Sequence, residues 1–349
     1  MTQRKCTLAI LFTLLLIISI ISNLNLLVLA QSNYNGNPEP VKIVLTLWPP
    51  NFLAYLAQEK GLFEKNGVNV QLLFDKDYFN AVERFNNDEA DGITIVFSDA
   101  IIQDSNGIDT KVVYHIDSSQ SGDAVVSKLK NLTDLKGKKI GVEGINTFSH
   151  LFTLTALEKA GLDEGDVEFV NVAGINTSAA LDQGEIDAGH TYSPFLEDTT
   201  AKGYNILITA KENPGIIVSV LAFHTNIVEE RPQVIKNILQ SFIEALDYYK
   251  ENKEDALQMM SSTSGLSKDE IIQGFGSTRL LTLQDNLISM TNTTGNMSSL
   301  FTSGEYASNF FTQRGVMSDY ANISAIVDPK FIDTISSEKK SPILGNGLK

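Results

Sequence analysis

Residues 135–195, LKGKKIGVEGINTFSHLFTLTALEKAGLDEGDVEFVNVAGINTSAALDQGEIDAGHTYSPF, constrain the fold most, because they read as strand–loop–helix units whose loops converge on one cleft. Residues 139–142 are a short apolar run behind a basic turn. Gly144, Asn146 and Thr147 then lead into a helix that begins near Phe148, with Leu151, Leu154 and Leu157 on one face. A strand that enters a helix through a short polar loop leaves unpaired backbone N–H groups at the helix start. Together with the helix dipole, these favour an anionic or strongly polar ligand group there. Gly161 after Lys159 reads as a C-terminal stop. The scheme repeats, with a strand over 167–172, a helix over 177–181 and a strand over 186–190. Such alternation predicts a mostly parallel sheet, which binds ligands outside the carboxyl ends of its strands.

With 349 residues, 43% hydrophobic and 20% charged, the chain has the size for two lobes and the composition of a globular protein. Arg4 and Lys5 precede an aliphatic run, and Val28-Leu29-Ala30 fits a secretory signal over residues 1–30, cleaved before Gln31. An uncleaved anchor is the alternative, since residues 8–30 are long enough to span a bilayer, although Ser22, Asn23 and Asn25 interrupt them. Either way the body is expected outside the cytoplasm. Cys6 is the only cysteine and falls within this leader, so the remainder has neither a disulfide nor a thiol nucleophile. The formal net charge of −15 opposes nucleic-acid binding and attraction to anionic lipid. Sequons at Asn131, Asn176, Asn292, Asn296 and Asn322 are compatible with surface glycosylation.

Residues 31–40 read as a polar linker, and structure is expected from Val41. A strand over 41–47 ends at Trp48-Pro49-Pro50, because prolines break it. AYLAQEKGLFEKNGVNVQLL then predicts a helix stopped at Gly61, a turn at Asn66-Gly67 and a second strand to Phe74. A helix around 81–85, a strand over 93–97, a helix start at Ser98-Asp99 and a strand over 111–116 follow. The extended stretches 124–127 and 216–223 are read as crossover strands, after which Pro232 opens a long helix to Tyr249 and SKDEIIQGF another. Residues 291–299 look like loop, and the end of the chain, fraying from Ser336, looks like a tail.

The order of LKGKKIGV, a polar loop, a helix ending in KAGL, and GEIDAGHTYSPF closely resembles the second lobe of ABC-importer substrate-binding proteins of the alkanesulfonate, taurine, nitrate and thiamine-precursor (NMT1/THI5-like) group. AYLAQEKGLFEKNGVNVQLL is similar to that family's first lobe, and the resemblance covers roughly residues 41–285. It implies an α/β, two-lobed type II periplasmic-binding-protein fold. Lobe 1 would comprise 41–123 and 224–320, lobe 2 would comprise 124–223, and a tail would cover 321–349.

Strand ends give the candidate ligand-binding residues Trp48, Phe97, Ser98, Asp99, Asn146, Thr147, Phe148, His190, Tyr192 and Ser193. Trp48 reads either as a ligand wall or as a core side chain. Ser98 and Thr147 read as ligand donors or as helix caps, and Asp99 likewise as a cap. Tyr192 and Ser193 stand where the family usually has Trp and an acid, so an amine-binding carboxylate is missing at that position. No Lys or Arg falls in these loops, which disfavours a multiply charged anion. The four histidines, His115, His150, His190 and His224, are isolated from any catalytic motif. No cofactor, no metal and no enzymatic activity are therefore expected.

The reading is an extracytoplasmic, monomeric solute-binding protein. It would close over a small organic molecule, a thiamine-pyrimidine precursor or an organic sulfonate, and deliver it to the membrane permease of an ABC importer. The alternative is a membrane-anchored sensory or scaffold module of the same fold.

Overall fold

The computed structural model describes residues 39–293 and 295–340. The expected leader, its cleavage point, Cys6 and most of the linker lie outside the described residues, as do residues 341–349 of the expected tail.

Two mixed sheets flanked by helices organise the chain from Val41 onward. The first has six strands in the order β11-β4-β10-β3-β1-β2, where β1 is Val41–Leu45, β2 Val70–Phe74, β3 Gly92–Val96, β4 Thr110–Ser119, β10 Val218–His224 and β11 Thr278–Leu280. β1 runs parallel to β2 and β3, whereas β10 lies antiparallel to β3 and β4. The second sheet has five strands in the order β7-β6-β8-β5-β9, with β5 Asp123–Ser127, β6 Lys139–Val142, β7 Glu168–Asn171, β8 Ala188–Tyr192 and β9 Asn205–Thr209. Both sheets are thus mixed rather than nearly all parallel, because one strand of each arrives antiparallel from the other half. β3 (GITIV) and β5 (DAVVS) are buried along their whole length, as expected of strands covered on both faces.

The chain passes between the halves at residues 120–122 and 210–217. The stretches read as crossover strands each belong to one sheet, β5 to the second and β10 to the first. The helix Phe148–Lys159 also differs from expectation. Ser149, His150 and Thr153 are as buried as Leu151, Leu154 and Leu157, so it is enclosed on all sides rather than on one face. Thr153 and Thr155 satisfy their hydroxyls within the helix, donating to the carbonyls of Ser149 and Leu151 at 2.8 and 2.7 Å.

The C-terminal part is more structured than the sequence suggested. The helix Leu300–Gln313 packs on the helix Phe97–Ser105, so closely that a Cβ on Gly304 would stand 2.9 Å from Phe97 Cε1. The helix Lys330–Lys340 buries Phe331, Ile332 and Ile335 and packs on the long helix Pro232–Glu251, with Lys236 Nζ 2.7 Å from Glu338 Oε1. All five sequon asparagines are exposed. No helix among the described residues is long and apolar enough to cross a membrane.

Candidate functional site

The facing ends of the two sheets enclose a cavity of about 430 Å³ of empty space, its open mouth included. Trp48, Tyr78, Phe148 and Tyr192 wall it, and Asn51, Thr94 and Asp123 are polar residues of its lining. β1 stops at Leu45, and Pro49-Pro50 force a short 3-10 turn over Pro49–Phe52, which swings Trp48 out of the strand line. Its indole Nε1 donates to Asp117 Oδ2 on β4 at 3.1 Å. Burial pushes the Asp117 carboxyl up to about 7. Tyr192, the last residue of β8, meets Trp48 edge to face with ring centroids 6.2 Å apart, joining the two halves across the cavity.

Two glycines fix these rings. A Cβ on Gly122 would stand 2.8 Å from Trp48 Cη2, and one on Gly174 would stand 2.5 Å from Tyr192 Cε1. The Tyr192 hydroxyl donates to Glu143 Oε1 at 3.3 Å, as does Gly174 N at 3.2 Å. Burial raises Glu143 to about 8.

A second bridge between the halves runs through Asp99. It sits in the helix Phe97–Ser105 of the first half, and its Oδ1 accepts from Phe148 N, the first amide of the helix Phe148–Lys159 in the second half, at 2.8 Å. Its Oδ2 accepts from the Tyr78 hydroxyl at 2.9 Å. Burial carries its carboxyl up to about 7. The helix start expected to receive an anionic ligand group therefore already holds an internal carboxyl.

His190 on β8 is fully buried behind the wall, with Nε2 3.2 Å from Asp123 Oδ1 and Nδ1 3.0 Å from Ser149 Oγ. At the far rim, Arg314 from beyond the helix Leu300–Gln313 reaches the second half. Its Nη2 donates to Glu164 Oε1 at 2.6 Å, its Nη1 to Glu164 Oε2, and its Nε to Asn146 Oδ1 at 3.0 Å.

Of the candidate residues, Trp48, Phe148 and Tyr192 line the cavity, while Asp99 and His190 contact residues that do. The other five do not line it. Phe97 is core against Gly304, and Ser98 is buried beside it. Thr147 Oγ1 donates to the carbonyls of Glu143 and Gly144, at 2.7 and 2.8 Å, so its hydroxyl closes its own loop. Asn146 has positive φ and turns to Arg314. Ser193 donates to Glu197 Oε1, in the helix Phe195–Ala201 that follows it, at 2.7 Å. Thr46, Asn51, Tyr78, Thr94, Asp123 and Ser219 line the cavity without having been singled out in the sequence. Asp123 pairs directly with Tyr192 across β5 and β8, one strand away from the acid missing at Ser193, a placement that only the sheet register reveals.

With this geometry established, comparison with known proteins decides the family. The NMT1/THI5-like family model matches residues 49–256, well over half of the chain. The chain belongs to the NMT1/THI5-like family. Among curated members, a Haemophilus influenzae protein named for thiamine biosynthesis is 31% identical over 43% of this chain and 49% of its own length. The taurine-binding periplasmic protein of Escherichia coli is 30% identical over 39% of this chain and 42% of its own. The chain thus spans about half the length of these two relatives. The alkanesulfonate-binding protein SsuA of Xanthomonas axonopodis pv. citri, solved with MOPS bound, superposes with a TM-score of 0.68 at 15% identity, covering 84% of this chain and 99% of that one. That likeness shows the fold, the two-lobed periplasmic-binding-protein fold. Other relatives include an aliphatic-sulfonates-binding protein of Bacillus subtilis, 25% identical over 61% of this chain, and the fold is shared with the desulfurization enzyme DSZB, with a TM-score of 0.60 at 16% identity.

Proposed function

We propose that this chain is an extracytoplasmic solute-binding protein that captures a small, flat organic molecule between its lobes and hands it to the permease of an ABC importer. The observation that carries the reading is the aromatic cavity itself, with Trp48 supplied by one half and Tyr192 by the other, so that occupancy and lobe closure are one event. Relatives of the family bind sulfonates or are named for thiamine synthesis, and the chemistry here favours the second kind of ligand, a pyrimidine-type thiamine precursor. No Lys or Arg lines the cavity, and the helix start at Phe148 is capped by Asp99. A sulfonate would therefore find neither a cation nor a free helix terminus, and would face carboxyls instead. Four aromatic walls suit the two faces of a heteroaromatic ring. Ser219, the serine on the cavity wall, hydrogen-bonds the Asp117 carboxyl rather than a histidine, while Ser149 and His190 are fully buried behind the wall and bonded to each other.

The test is a thermal-shift and Trp48-fluorescence titration of the purified protein with an aminopyrimidine and with aliphatic sulfonates, Trp48 being the sole tryptophan. The aminopyrimidine at a hundred times its Kd should add about 2.7 kcal/mol of stability. Trp48→Ala should weaken its binding while circular dichroism shows the fold retained. Binding of the sulfonates with the aminopyrimidine inert would overturn the ligand class.

A further inference from the structure

The acceptors on the cavity wall are paired unequally with its donors. Every wall donor of the larger side chains is already engaged by the protein: Trp48 Nε1 by Asp117, the Tyr78 hydroxyl by Asp99 and the Tyr192 hydroxyl by Glu143. By contrast, two acceptors on cavity-lining residues, Asp123 Oδ2 and Asn51 Oδ1, are buried and have no hydrogen-bond partner, and neither has the Thr94 hydroxyl, which can donate or accept. All three residues are only 2% exposed. The Asn51 amide nitrogen is held by the Thr46 carbonyl and hydroxyl at 3.3 and 3.1 Å, which leaves its oxygen as the free end. A buried carboxylate oxygen without a donor is costly, and a side chain kept in that state needs a partner that arrives from outside the chain.

We infer that the molecule this cavity takes is an organic cation rich in N–H donors, of the amidinium or protonated-amine type, and that Asp123 is its counter-ion. The inference rests on the reading of the cavity as a solute site, and it adds the sign of the ligand's charge and the residue that reads it. Asp123 is aimed by a relay. Ser149 Oγ lies 3.0 Å from His190 Nδ1 and His190 Nε2 lies 3.2 Å from Asp123 Oδ1, so a ring that gives its Nε2 hydrogen to the carboxylate leaves Oδ2 of this cavity-lining residue without a partner. Asn51 and Thr94 offer further acceptors on the first-lobe side, so one planar donor group can be held from both halves. The faces of Trp48, Tyr78, Phe148 and Tyr192 complete an aromatic enclosure of the kind that stabilises a desolvated cation. The carboxylate that is absent at Ser193 is thus supplied from the adjacent strand.

Three isosteric probes separate the possibilities by calorimetry on the intact protein: benzamidine, a planar cation; benzamide, its neutral isostere; and benzoate, its anionic one. Benzamidine should bind at least tenfold more tightly than benzamide, with benzoate weaker still. Asp123→Asn should remove that preference by weakening benzamidine at least tenfold more than it weakens benzamide. The comparison among probes on the wild-type protein stands even if the variant folds poorly. Benzamide or benzoate binding as tightly as benzamidine would overturn the charge assignment and leave the solute site intact. Silence of all three probes, together with silence of the aminopyrimidine, would overturn both.

Discussion

Arg314 ties the two halves together without lining the cavity, so its removal tests the proposed closure separately from recognition. The guanidinium makes a two-pronged contact with Glu164, donates to Asn146 and lies 5.1 Å from the centre of the Phe310 ring. Arg314 keeps the Glu164 carboxyl below its ordinary range. Because the Arg314 and Glu164 side chains are 20% and 43% exposed, solvent screening limits the ion pair to about 1 kcal/mol. The hydrogen bond to Asn146 adds about 1 kcal/mol. Losing about 2 kcal/mol of closed-state stability moves the open–closed equilibrium roughly 30-fold, since each 1.4 kcal/mol is a factor of ten. Apparent affinity falls with the closed fraction, so Arg314→Ala should weaken ligand binding by up to about 30-fold. The assay pairs calorimetry with small-angle X-ray scattering of the unliganded protein, whose radius of gyration should increase. Glu164→Ala should give a similar loss, and the double variant should lose little more, because the two side chains act as one unit. High salt should reproduce part of the effect in the wild type. Unchanged affinity together with unchanged scattering in Arg314→Ala would refute the latch.

Gly174→Ala places a methyl group where Tyr192 Cε1 stands 2.5 Å away, so the ring must move into the cavity. Binding should drop at least tenfold for about 1–3 kcal/mol of lost stability, and a variant that binds normally would show that Tyr192 is not a wall. Stability should also respond to pH through the buried carboxyls. Asp99 is raised from 3.8 to about 7 and Glu143 from 4.5 to about 8, so between those values the folded chain holds protons that the unfolded chain releases. Their contribution is present below about pH 4 and declines as pH rises to about 8. Relative to Asp99→Asn, the wild-type Tm should therefore fall between pH 4 and pH 7, and a relative rise would contradict the burial argument.

The strand–loop–helix units could be read directly because their apolar runs are short, their turns carry Gly and Asn, and the helix Phe148–Lys159 starts where the loop residues say it should. Trp48 and Tyr192 were legible for the same reason, since a proline pair and a strand end both leave a side chain at the rim. Asp123 was not legible, because the polar residue that opens DAVVS looks like a strand boundary until β8 is set beside it. Asp99 read as a local helix-start residue, yet its partner is an amide 49 positions away. Thr147 failed as a donor through a competition that no pattern reports: backbone carbonyls of its own loop take the hydroxyl. The helix Leu300–Gln313 escaped because Ser, Thr, Gly and Asn break its apolar periodicity, and its packing on Phe97 overrides weak local propensity.

The two straps that join the sheets are both tied down on the same side. The amides of Gln120, Ser121 and Gly122 all point at one carbonyl, Ser277 O, at 3.0, 3.0 and 3.1 Å. The second strap is gripped where Ser303 Oγ donates to Gly215 O at 2.6 Å, and Met297 crowds the same glycine. Flexure is thereby pushed to the ends nearest the five-stranded sheet, at Asp123 and near Asn213, so the pivot of the swing adjoins the carboxylate that faces the cavity. A guest pulling on Asp123 would act on the axle itself.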